Sequence, residues 1–264
     1  MRLDGRVAVV TGGGSGIGQA IAARLARNGA LVVVAGRTSE SVTDTVEQIR
    51  AFDGQATFAG ADLSRPDEIL SMFSSVRDRV GPVDILVNNA GKATADGIVE
   101  TDELGWDRDM NVVLRSAFLS TRAVLPGMIE RRAGSIVNIA SVNGLTGLGE
   151  EAYSAAKAGM INLTRNVAVR YGQHGIRANC VCPATIRTPI WDDVLEREPD
   201  VFERLAKWYP LGRIGEVDDV AKAVAFLVSD DASWITGESL NVDGGLMAGA
   251  YRLSRELMGE SQLR

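Results

Sequence analysis

Seven short, apolar and mostly β-branched runs punctuate the chain: RVAVVT (6–11), LVVVA (31–35), ATFAG (56–60), DILVN (84–88), SIVNIA (135–140), IRANCVC (176–182) and SLNV (239–242). Most are apolar at nearly every position instead of every second one, the pattern of strands covered on both faces. Longer stretches with helical spacing separate most of them. IGQAIAARLARNG, for example, closes on a glycine suited to the end of a helix. This alternation predicts an α/β protein: a doubly wound, Rossmann-like parallel sheet of seven strands with helices on both faces. No linker, low-complexity segment or fixed-period repeat interrupts it, so residues 1–264 read as a single catalytic-size domain. The stretch 187–212, RTPIWDDVLEREPDVFERLAKWYPLG, fits least, with two of the four tryptophans, several acids and three prolines. It reads as a helical insertion outside the sheet, of the kind that covers a ligand.

Composition narrows the partners. With 45% hydrophobic and 23% charged residues, the chain has ample core-forming material for a globular protein. A net charge of −6 and a pI near 5.0 argue against a nucleic-acid partner. No apolar run reaches ~18 residues, which argues against a membrane span. The N-terminus, MRLDGRVAVVTGGG, lacks the apolar core and cleavage site of a signal peptide, so a cytoplasmic location is expected. Cys180 and Cys182, two apart in a strand, are expected on opposite faces, and so to be reduced, buried thiols and not a disulfide or a metal pair. His174 is the only histidine, placed in the turn-like YGQHGIR, so neither a zinc site nor a histidine-activated nucleophile is expected.

The first strand runs into TGGGSGIGQAIAARL, where Gly12, Gly16 and Gly18 give a G-x-x-x-G-x-G spacing. Glycines there let the backbone turn sharply and approach a pyrophosphate, while the next helix offers free N–H groups at its positive end. Gly14, Ser15 and Ile17 lie in the same turn. About 20 residues further on, where an acid would hold the ribose 2′-OH of NAD, the chain reads VVVAGRTSE. Gly36 takes the acid's place and Arg37 follows; an arginine binds a 2′-phosphate that an acid would repel. NADP(H) is therefore favoured, with NAD(H) the alternative. Thr38 and Ser39 read equally as helpers of that phosphate and as N-caps of the next helix.

Tyr153 and Lys157 in YSAAK share a helix face, being four residues apart. Ser141 follows the strand SIVNIA, at the sheet edge where open α/β sheets bind ligands; it reads as a donor to a substrate oxygen, or as a turn or capping serine. A phenol with a pKa of about 10 becomes a more useful acid/base when a nearby ammonium favours phenolate, the expectation for this pair. Together, TGGGSGIG, NNAG (88–91), Asn111 in DMNVV, Ser141, YSAAK, PATIRTP (183–189) and NVDGG (241–245) resemble the short-chain dehydrogenase/reductase family over almost the whole chain.

The resemblance implies a strand order of 3-2-1-4-5-6-7 and hydride transfer between a nicotinamide and a carbonyl or secondary alcohol. Tyr153 is then the proton exchanger, Lys157 its tuner and a ribose contact, and Asn111 the holder of a relay water. Asn111 also reads as a simple tie between two elements. By the same resemblance Asn88, Ala90, Gly91, Asp62 and Leu63 line the cofactor, with Pro183, Ala184, Ile186 and Thr188 at the nicotinamide. The family's Pro-Gly is here Pro183-Ala184, and Ser15 stands where a basic residue often accompanies NADP preference.

Substrate contacts are expected from Ser141, Asn143, Leu145, Glu150, Tyr153 and Trp191, with Trp191 and Trp208 reading equally as apolar packing. The resemblance further implies a homotetramer, or a homodimer, using helices near 103–130 and 150–171 and the last strand. An NAD-linked sugar or polyol dehydrogenase and a non-catalytic cofactor sensor are the rival readings. The tail 246–264 reads as a packing element or a frayed end.

Overall fold

In the computed structural model, residues 1–37, 40–93 and 97–258 are described. The strands are β1 (Val7–Thr11), β2 (Leu31–Gly36), β3 (Ala56–Gly60), β4 (Ile85–Asn88), β5 (Gly134–Ile139), β6 (Ile176–Pro183), β7 (Ile186–Arg187), β8 (Gly215–Glu216) and β9 (Ser239–Val242). Seven form one parallel sheet in the order β3-β2-β1-β4-β5-β6-β9. This is the expected order, with β9 as its seventh strand. The two-residue strands β7 and β8 pair separately, a ribbon that the hydrophobic pattern does not announce. The helices are α1 (Gly16–Arg27), α2 (Glu40–Arg50), α3 (Pro66–Arg79), α4 (Glu103–Asp109), α5 (Ser116–Arg131), α6 (Glu151–Tyr171), α7 (Asp192–Arg197), α8 (Val201–Ala206), α9 (Val217–Val228) and α10 (Tyr251–Met258).

The near-continuous apolar strands are explained by the two layers they feed. Ala8, Val10, Val32, Val34, Ile139 and Val181 join the cluster under α1, α2 and α9. Their strand neighbours Val7, Val9, Val33 and Ile136 join the opposite cluster under α3, α5 and the end of α6. Side chains alternate across a strand, so both sets must be apolar.

The same alternation corrects the reading of the cysteines. Positions two apart share a strand face, and Cys180 and Cys182 both enter the cluster beneath α6, while Val181 points the other way. Both are buried free thiols. Burial pushes Cys180 up to about 11 and Cys182 up to about 12, so both stay protonated near neutrality.

Between α4 and α5 the helix widens into a π-helical turn, Met110–Arg115, in which the Ser116 N–H reaches the Asn111 carbonyl. Such turns recur at functional sites. The continuous helix Glu103–Arg131 has the length and apolar composition of a membrane span, although no unbroken apolar run of that length occurs in it. Half of its most apolar window is buried inside the protein, as in a core helix. The stretch 187–212 folds into the short helices α7 and α8, held by a small apolar cluster of Val201, Phe202, Tyr209 and Ile214. The tail forms α10, whose Arg252 lies over the Trp208 ring at 4.6 Å.

Candidate active site

The C-terminal ends of β1, β4, β5 and β6 deliver the candidate residues to one edge of the sheet. Gly12 leaves β1 at φ 63°, and a Cβ at Gly18 would lie 2.1 Å from the Gly12 carbonyl oxygen, so the turn closes only with glycine at both places. Thr11 ties it to β4: its hydroxyl donates to Val87 O and accepts from the N–H groups of Asn89 and Ala90. The Asn89 amide donates to the carbonyls of Thr11 and Gly12 at 3.1 and 3.0 Å. Asn88, by contrast, turns its side chain inward, donating to Asn138 and Thr121. The side-chain link to the glycine turn therefore belongs to Asn89, which is not among the expected cofactor residues of that motif.

Helix α1 begins at Gly16 with no side-chain cap from Ser15 and no acid in its first turn. Gly14 packs beside Ser41 and Val42 of α2, and Gly16 beside Thr188, so the turn forms a bare-backbone cradle between α2 and the β7 end. Ile17 is partly buried on the core beneath. Arg37 is exposed directly after β2, and its charge helps hold the Asp62 carboxyl low; hydrogen bonds from Ser64 are the larger cause. Leu63 is buried in the core, so its side chain lies away from the surface. Thr38 lies outside the described residues.

Ala90 is half-buried, and Gly91 packs against Val113 of the π-helical turn. Pro183 ends β6; Ala184 takes a negative φ, so the missing glycine brings no left-handed strain. Ile186 is buried in the ribbon, and Thr188 precedes the turn Pro189–Trp191.

A buried polar ladder aims the chemistry. Asn88, Asn138 and Cys180 are register partners on β4, β5 and β6. Asn88 donates to Asn138 at 2.8 Å, and Asn138 donates to Thr164 of α6 at 2.7 Å. The Thr164 hydroxyl donates to Met160 O, which leaves the Cys180 thiol to donate to Thr164 at 3.0 Å. The ladder pins α6 to the sheet. About two turns nearer the sheet edge, Gly144 packs on the α6 backbone so closely that a Cβ would lie 2.8 Å from the Lys157 carbonyl carbon. This contact brings the Ser141 loop against the helix that carries Tyr153 and Lys157.

Ser141 is nearly buried and does cap the short turn Val142–Gly144. Its Oγ accepts from Asn143 N–H and donates to Asn143 Oδ1, both at 3.1 Å. It also faces Tyr153, drawing the phenol's pKa downward, but burial outweighs it and pushes Tyr153 up to about 12, with Glu150 and Asp109 adding to the rise. The expected depression of Tyr153 by Lys157 is thus corrected. The Lys157 ammonium sits over the ring face, 5.2 Å from its centroid, and donates to Ile139 O at 2.5 Å. Full burial lowers Lys157 itself to about 8. Asn111 lies in the π-helical turn, its side chain accepting from Arg115 at 3.3 Å. Met110 and Leu114 of that turn share an apolar cluster with Tyr153.

Glu150 stands before α6 and accepts from Asn143 Nδ2 at 3.3 Å. Leu145 is exposed, whereas Trp191 packs edge-on against Phe202 with centroids 5.6 Å apart. Asp109, buried at the end of α4, was not among the candidates; an acid inside a helical pattern carries no spacing that marks it. Among the described residues no group of three or more histidine, cysteine or acidic side chains could hold a metal ion.

Residues 12–247 match the family profile described as Enoyl-(Acyl carrier protein) reductase. The chain is 43% identical over 262 residues to an uncharacterized oxidoreductase of Schizosaccharomyces pombe, covering 99% of this chain and 98% of that protein. Among solved structures, an oxidoreductase of the short chain dehydrogenase/reductase family from Burkholderia thailandensis superposes with a TM-score of 0.89 at 40% identity, over 96% of this chain and 97% of that one. A gluconate 5-dehydrogenase from Burkholderia cenocepacia J2315, in complex with NADP and tartrate, does so with a TM-score of 0.88 at 33% identity, over 94% and 97% of the two chains.

Proposed function

This chain belongs to the short-chain dehydrogenase/reductase family of oxidoreductases acting on alcohols and ketones, and we propose that it is an NADP(H)-preferring carbonyl reductase or alcohol dehydrogenase. The observation that carries this reading is the convergence of Ser141 and Tyr153, with Lys157 beneath the ring, at the sheet edge that also holds the glycine cradle. The cradle fits a dinucleotide: an uncapped, acid-free helix start favours a pyrophosphate, and Arg37 after a glycine favours a 2′-phosphate. The relative solved with NADP is consistent with that preference.

Gly14, Ser15, Gly16 and Ile17 are assigned to the pyrophosphate, Arg37 to the 2′-phosphate, and Ala90, Gly91, Lys157, Ala184, Ile186 and Thr188 to the nicotinamide half. When bound, the nicotinamide supplies or accepts the hydride. Ser141 orients the substrate oxygen; to do so its hydroxyl exchanges Asn143 Oδ1 for that oxygen. Tyr153, neutral near pH 7 with a pKa near 12, serves as proton donor to the developing alkoxide in reduction. Lys157, lowered to about 8, holds the Ile139 carbonyl and keeps positive charge beneath the ring. Asn111, at the π-helical turn, is assigned to proton supply. A cytoplasmic homotetramer, or homodimer, completes the reading.

The test is a side-by-side fluorescence titration with NADPH and NADH, followed by a carbonyl and alcohol panel with the tighter cofactor. NADPH should bind more tightly, and Arg37→Ala should weaken NADPH at least about tenfold while leaving NADH nearly unchanged. Tighter NADH binding, or indifference to Arg37→Ala, favours the NAD-linked polyol dehydrogenase instead.

A further inference from the structure

Two carboxylates act on the Tyr153 end of the site, Glu150 through Asn143 and Asp109 by its charge from within the core, and the proton chemistry above gives neither a role. Glu150 takes a left-handed conformation, φ 54° and ψ 59°, that a non-glycine residue adopts only when its surroundings hold it there. Its carbonyl accepts the Ser154 N–H at 2.8 Å, and its carboxylate accepts Asn143 Nδ2 at 3.3 Å. Because Asn143 bonds Ser141 through both its side chain and its N–H, the Glu150 carboxylate stands two hydrogen bonds from the Ser141 hydroxyl.

Asp109 is buried at 1% exposure and precedes Met110, which packs on the same apolar cluster as Tyr153. Both acids bear on the Tyr153 phenol, and Asp109 also raises the Glu150 carboxyl after the larger effect of desolvation. Among the described residues Glu150 forms no ion pair. The cation behind the phenol, Lys157, is nearly inaccessible and bonded to Ile139 O, so it offers little to an anion arriving from solvent.

We infer that Glu150, backed by Asp109, sets the substrate class: an uncharged carbonyl or alcohol with a hydroxyl beside the reacting carbon, to the exclusion of compounds bearing a carboxylate or phosphate there. A neighbouring hydroxyl donates to the Glu150 carboxylate as Asn143 Nδ2 does, whereas an anion at that place meets like charge in a partly desolvated setting. Two unit charges about 6 Å apart at an effective dielectric of about 20 correspond to roughly a hundredfold discrimination, and solvent screening of an exposed carboxylate reduces it toward tenfold. The inference rests on the reductase reading above.

The test compares hydroxymethyl ketones with 2-oxo acids of matched chain length, hydroxyacetone against pyruvate first, at pH 8 with saturating cofactor. The readout is the ratio of the two kcat/KM values in wild type, Glu150→Gln and Glu150→Asp. Wild type should favour the hydroxy ketone by at least about tenfold. Glu150→Gln should shrink that ratio by about tenfold or more, and Glu150→Asp, which keeps the charge, should stay near wild type. A wild-type preference for the oxo acid, or a ratio unmoved by Glu150→Gln, overturns the inference and leaves the reductase reading standing. Turnover of neither series, nor of any carbonyl in the wider panel, overturns both.

Discussion

Replacing Lys157 with methionine should stabilise the ligand-free protein at neutral pH. The lysine is fully buried, and burial lowers its pKa from 10.5 to about 8. At about 1.36 kcal/mol per pKa unit, the charged form is disfavoured in the folded state by about 3 kcal/mol. Below pH 8 the lysine is charged in both states, so this penalty is present in full. Between pH 8 and 10.5 the unfolded chain binds the proton that the folded protein has released, so the penalty is relieved as pH rises. Against the gain, methionine leaves the Ile139 carbonyl without its 2.5 Å donor, at a cost of about 1–2 kcal/mol.

The net expectation is a variant more stable by about 1–2 kcal/mol at pH 7, or roughly 2–8 °C in Tm for a chain of this size. The order should invert by pH 10.5, where only the lost hydrogen bond remains. Thermal unfolding of both proteins at half-unit steps from pH 7 to 10.5 reads the difference directly. In the unfolded chain Cys180, Cys182 and Tyr153 also titrate in the upper part of this range, while burial keeps them protonated in the folded protein; they are present in both proteins and largely cancel. A difference in stability that does not change with pH would refute the reasoning, because it would mean that the buried ammonium carries no desolvation penalty. A stabilised but impaired variant is the usual signature of a strained functional group.

Two further predictions concern the scaffold that aims the site. Asn138→Ala removes the middle of the ladder and strands the Asn88 and Thr164 partners in the core, so it should cost about 2–4 kcal/mol in denaturant unfolding; a loss below 1 kcal/mol would count against the ladder. Gly18→Ala forces a methyl to within 2.1 Å of the Gly12 carbonyl and should abolish cofactor binding or soluble expression, whereas retained micromolar affinity would show that the turn can open.

The sheet is legible in the sequence because buried parallel strands leave runs such as LVVVA that few other elements produce. The order of those strands comes from the family resemblance, not from the runs. Alternation, applied to Cys180 and Cys182, was the place where a simple periodicity needed the right parity: residues two apart share a face, and both thiols lie under α6. The π-helical turn at Asn111 left no mark in a pattern already helical on either side, since one inserted residue shifts the face without breaking the period. The ribbon of β7 and β8 is too short for any period to register.

The same limit governs the electrostatics. The spacing of Tyr153 and Lys157 puts them on one helix face, but only the packing tells that the ammonium meets the ring and the Ile139 carbonyl, and that burial governs the phenol. Asn89 acts through a contact with the glycine turn and Asp109 through its charge on Glu150 before α6, and sequence spacing encodes neither of these long-range relations.

The central claim is that Tyr153 is the group that exchanges the substrate proton. The most direct measurement is single-turnover reduction by Tyr153→Phe, set beside its NADPH affinity. The variant loses one hydroxyl and keeps the ring over Lys157, so cofactor affinity should stay within a few-fold of wild type while the chemical step slows by about 10²–10⁴-fold. A slowing of less than about tenfold with cofactor binding intact would contradict the assignment of Tyr153 as the acid.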